Sequence, residues 1–77
     1  MKYTREKISS LMGHTEVIYK VEQSNFELIA SPMGIHFRGT SPIVDDAKGL
    51  GDFAELVSRV WVDHQKLMPK ILKPGEH

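Results

Sequence analysis

A chain of 77 residues without cysteine is one domain at most. A single core of that size supplies only about 3 to 5 kcal/mol of net stability, and with no disulfide or thiolate metal site to supplement it, packing or oligomerisation has to carry the fold. Ten basic against ten acidic residues leave no net charge, which removes the sequence-independent attraction that brings most proteins to DNA or RNA.

The opening Met1-Lys2-Tyr3-Thr4-Arg5-Glu6-Lys7 lacks the apolar stretch of a signal peptide, and no later window approaches a membrane span. The expectation is a cytoplasmic protein without a membrane partner. Thr4 can cap a first helix whose apolar positions Ile8, Leu11 and Met12 follow at helical spacing, with Tyr3 placed to staple against Ile8 and Gly13 ending it. His14 would then complement the dipole at that helix's C-terminus.

From Glu16 the apolar period changes to two. Val17, Tyr19 and Val21 alternate with Glu16, Ile18, Lys20 and Glu22, which predicts a strand. Gln23-Ser24-Asn25 has turn composition, and Phe26, Leu28 and Ala30 then alternate with Glu27, Ile29 and Ser31. Ser31-Pro32-Met33-Gly34 turns the chain again, and Ile35 and Phe37 alternate with His36 and Arg38. One register satisfies all three segments: Val21 faces Phe26, Tyr19 faces Leu28 and Val17 faces Ala30 across the first hairpin, while Ala30 faces Ile35 and Leu28 faces Phe37 across the second, which places every apolar pair on one side. The opposite face then carries the rows Lys20, Glu27, Arg38 and Ile18, Ile29, His36.

Residues 39–49 read as a loop, with Ser41-Pro42 able to start a single helical turn that includes Asp45 and Asp46. Asp52 and Glu55 read as a capping box for a second helix, with Leu50, Phe53, Val57, Val60, His64, Leu67 and Ile71 as its packing stripe. Pro69 should end or kink that helix near Leu67 or Met68. The resulting expectation is an α+β fold of order α-β-β-β-α, a three-stranded antiparallel meander with two helices packed on one face. Residues 1–72 would form the single compact domain and residues 73–77 a flexible C-terminal tail.

Little in the chain speaks of chemistry. Four histidines (His14, His36, His64 and His77) and the pair Asp45-Asp46 are the whole catalytic or metal vocabulary, and none has a ligand spacing. The reading is therefore no enzyme, no cofactor and no metal. His64, inside the last helix's apolar stripe, is expected to be buried with one hydrogen bond; Trp61 and Met68 should edge that stripe, and Val62 should point away from it.

The order α-β-β-β-α is similar to that of double-stranded-RNA-binding domains. That family presents a lysine cluster at the start of its last helix, where this chain has Leu50-Gly51-Asp52-Phe53-Ala54-Glu55, so an RNA function does not carry over. A helix-turn-helix laid over residues 7–22 fails because Val17-Ile18-Tyr19-Lys20-Val21 is β-branched, aromatic and strictly alternating. What remains is a protein contact. The expected surface is the outer sheet face, with Ile18 and Ile29 as an apolar centre rimmed by Lys20, Glu27, His36 and Arg38, and with backbone groups of the edge strand 16–22 open to strand addition. Trp61, Val62 and Met68 form the secondary candidate. Such a domain would act as an inhibitor, adaptor or subunit, a phage-type antagonist of a host or defence protein being one form and a homodimer another. A small nucleic-acid-binding regulator is the alternative.

Overall fold

The structure, a computed structural model, describes residues 1–9 and 14–68. Four strands, β1 (Tyr3–Ser9), β2 (Thr15–Val21), β3 (Glu27–Ser31) and β4 (Gly34–Arg38), precede one helix, α1 (Ala47–Leu67). They form an antiparallel meander in the order β1-β2-β3-β4, with α1 on one face. The α+β class stands, but the element count is four strands and one helix.

The register of β2, β3 and β4 is the one that alternation dictates. Tyr19 pairs with Leu28 and Leu28 with Phe37, while Lys20, Glu27 and Arg38 lie side by side on the outer face, as do Ile18, Ile29 and His36. A one-residue slip would turn every apolar side chain of these strands to the wrong face. The core follows from it: Val17, Tyr19, Val21, Phe26, Leu28 and Ala30 of the sheet close on Leu56 and Val60 of α1.

The first element is a correction. Residues expected to begin a helix form β1, and all seven pair with β2, from Tyr3 opposite Val21 to Ser9 opposite Thr15. An isolated helix of nine residues is marginal in water, whereas the same segment laid beside β2 satisfies a full row of β2 backbone groups. The segment 16–22 is consequently internal and is not available for strand addition. His14 stands just before β2 instead of after a helix, and Leu11, Met12 and Gly13 lie outside the described residues.

The helix start is a second correction. Asp46 is the N-cap, its carboxylate accepting from the Gly49 amide at 2.6 Å, so Asp52 and Glu55 lie inside the helix and no separate turn forms at Ser41-Pro42. Gly49 and Gly51 in the opening turns hide the start, because glycine usually marks a break. The end is as expected: α1 stops at Leu67, and the Met68 amide closes on the His64 carbonyl at 2.9 Å. Ile71, His77 and the tail 73–77 lie outside the described residues.

The connection from β4 to α1 is held at its first residue. Gly39 has φ +82°, and a Cβ there would sit 2.1 Å from the Asn25 carbonyl oxygen; Asn25 Oδ1 also accepts from the Thr40 amide at 3.0 Å. The chain therefore leaves β4 toward the β2-β3 turn and does not run back along the β4 edge.

Candidate protein-contact surfaces

Three surfaces bear on function: the outer sheet face, the cleft between β1 and α1, and the side on which α1 borders β4. The outer face has the expected residues in the expected rows but not the expected openness. Ile18 is 6 % and Ile29 5 % exposed, so the apolar centre is already withdrawn from water. What reaches solvent there is mostly polar: Glu6, Lys20, His36 and Arg38 are exposed, with Glu27 half-buried, and Ile8 at the β1 end of that face is 43 % exposed. Arg38 pairs with Glu27 at 2.8 Å and Lys20 with Glu6 at 3.7 Å.

The β1 side is organised by a cluster that sequence reading missed. The Tyr19 hydroxyl donates to Asp63 Oδ2. Arg5 donates from Nε to Asp63 Oδ2 at 3.2 Å and from Nη2 to Asp63 Oδ1 at 3.1 Å, and its Nε also lies 3.2 Å from the Tyr19 oxygen. Burial pushes the Asp63 carboxyl upward, but the hydrogen bonds from Arg5 and Tyr19 outweigh it and hold the group below the usual carboxylate value. Burial, then the bond to Asp63, raises the Tyr19 phenol. The Arg5 guanidinium, bonded to Asp63 and Tyr19, is raised further above its ordinary value.

This cluster floors a cleft of ≈ 470 Å³ lined by Tyr3, Arg5, Tyr19, Arg59, Val62 and Lys66 among others. Its chemistry is spent internally. Asp63 has both oxygens occupied and is held as an anion, and Arg59 is tied to Glu55 at 2.9 Å, so neither a free base nor an unpaired guanidinium faces the cleft. Among the described residues no three of His, Cys, Asp and Glu group as a metal site.

The third side is apolar. His64 is buried as expected, its Nδ1–H donating to the Ser31 carbonyl at 2.7 Å, and the Trp61 ring stands 5.1 Å from the imidazole. Trp61 is nevertheless 48 % exposed, and Leu50, expected in the core, is 59 % exposed. The helix is turned so that Leu56, Val60, Asp63 and His64 face the sheet, which carries Leu50 outward while Asp63 reaches Arg5. Phe37, expected to be covered through its pairing with Leu28, is 54 % exposed, its ring 6.0 Å from Phe26. Val62 separates from its expected companions: successive helical residues project about 100° apart, so Val62 lines the β1 cleft while Trp61 and Met68 lie on the flank away from it.

Charge on α1 is sorted the same way. Asp52, Glu55, Arg59, Asp63 and Lys66 lie toward β1, where Asp52 holds the Met1 amino group at 3.1 Å. The flank turned to β4, with Leu50, Ala54, Val57, Trp61 and Met68, carries no charge. Among the described residues no helix is long and apolar enough to cross a membrane. Compared with protein-family models, curated proteins and solved structures, the chain matches none of them.

Proposed function

We propose that this protein is a non-catalytic protein-contact domain, an inhibitor, adaptor or subunit, which engages its partner along the β4 edge and the adjoining uncharged flank of α1. The reading rests on one observation: Phe37 on the edge strand β4, and Leu50 and Trp61 on the uncharged flank of α1, a helix that also contacts β4, are three large apolar side chains each about half exposed. Exposed apolar groups beside an open sheet edge favour strand addition, in which backbone bonds supply affinity and side-chain contacts supply selectivity. His36 and Arg38, from the outer-face candidates, sit on β4 and form the polar side of this edge. The apolar pair Ile18 and Ile29 supports the sheet from behind.

The test is an affinity capture from the native source comparing the wild type with a Phe37→Lys, Trp61→Gln double variant whose fold is verified by circular dichroism. The wild type is expected to retain a protein partner that the folded variant loses. Salt-sensitive binding of the wild type to mixed DNA or RNA at low salt would replace this reading with the nucleic-acid alternative.

A further inference from the structure

The occupant of the β4 edge can be named from the backbone. The Val21 amide donates to the Phe26 carbonyl at 3.0 Å, and bonding direction alternates along an antiparallel strand. Leu28 and Ala30 therefore turn their backbone groups to β2, while Glu27, Ile29 and Ser31 turn theirs to β4. Their partners Arg38, His36 and Gly34 bond inward, and Ile35 and Phe37 present N–H and C=O outward. None of these four groups has a partner among the described residues.

We infer that this edge pairs with a second copy of the same chain, joining two four-stranded sheets across β4 about a two-fold axis at His36. The inference rests on the protein-contact reading above and supplies its partner. Within residues 34–38, an antiparallel self-pairing centred on His36 sets Ile35 against Phe37 of the other copy twice over, and both pairs are of the hydrogen-bonded kind. All four outward groups are satisfied. Centring on Ile35 or Phe37 would leave part of the edge facing a turn residue, Met33 or Gly39.

Side chains agree with the backbone. A two-fold contact must be self-complementary, since each surface meets its own image. The two Ile35–Phe37 pairs are β-branched to aromatic, a favourable cross-strand combination. Arg38 falls opposite Gly34, so no like charges oppose one another there, and both helices lie on the same side of the joined sheet with uncharged flanks turned to the seam. A charged flank would repel its copy; this one does not. The other edge is guarded, since β1 places Arg5 and Lys7 on its helix-facing side, an inward charge pattern that discourages edge pairing. On the corresponding side of β4 stand only Ile35 and Phe37.

The chain contains no cysteine, which makes the axis directly testable. In the inferred register the two residues at position 36 form a non-hydrogen-bonded pair with Cα atoms about 4.5 Å apart, within reach of a disulfide. The two residues at position 38 are about 13 Å apart along the seam. Oxidised His36→Cys is expected to run as a covalent dimer and Arg38→Cys as an uncross-linked chain. The wild type should sediment as a dimer, and Phe37→Lys, whose alkyl stem still covers Phe26, as a folded monomer. Equal cross-linking at both positions, or a monomeric wild type whose His36→Cys variant does not cross-link, overturns the inference. If a monomeric wild type still loses a captured protein on Phe37→Lys, Trp61→Gln substitution, the second copy is wrong and the protein-contact reading survives; if that capture is unaffected, both fail.

Discussion

Asp63 is the residue on which the β1 side depends. Its carboxylate is buried yet anionic, because Arg5 and Tyr19 together supply more than burial removes. Asp63→Asn leaves the phenol and the guanidinium without an anionic acceptor, and a loss of about 1 to 3 kcal/mol is expected from denaturant titration at pH 7. The pH dependence has a definite sign. A carboxyl whose folded value lies below its unfolded value of about 4 stabilises the fold above that unfolded value and loses the contribution as pH falls through the depressed one. Wild-type stability should therefore decline on acidification below about pH 4, and Asp63→Asn should decline less steeply. Parallel acid titrations of the two proteins would remove the assigned role from Asp63.

At the scale of elements, the sheet is held from both faces. The core rows close on α1, while Ile18 and Ile29 meet across β2 and β3 on the far side and are as buried as the core itself. Placing Asp at both positions buries two carboxylates without partners, at a cost of several kcal/mol that exceeds the ~3–5 kcal/mol available to a domain of this size. The Ile18→Asp, Ile29→Asp variant is expected to lose its far-ultraviolet circular dichroism signal for sheet and helix. A folded double variant would show that these side chains face water in solution. The surface ion pairs around them, Lys20 with Glu6 and Arg38 with Glu27, contribute little by comparison. The helix end, the burial of His64 and the β2-β3-β4 register are legible in sequence, because alternation and a following proline act locally. The β1 strand is not: Thr4-Arg5-Glu6-Lys7 has no apolar period of its own, and its conformation is set by the neighbour it pairs with.

For the whole molecule, size and edge chemistry converge. A small core without disulfides leaves a thin margin, and the uncovered apolar side beside β4 gives a second copy the means to widen it. Dimer formation stabilises the folded state by mass action, so the thermal midpoint of the wild type should rise with protein concentration, while that of Phe37→Lys should not. A concentration-independent wild-type midpoint would argue against assembly at β4. The sequence by itself determined the alternating strands, their mutual register and the extent of the helix beyond Phe53, since each follows from periodicity or from a neighbouring residue in the chain. Only the tertiary structure decided that residues 3–9 form a strand, that the helix turns Asp63 toward Arg5 across 58 positions of sequence, that Ile18 and Ile29 are sealed, and that Phe37 is left open. Each depends on which surfaces meet in space, and the strength of an ion pair, the burial of a side chain and the pairing of a strand are all properties of the partner as much as of the residue.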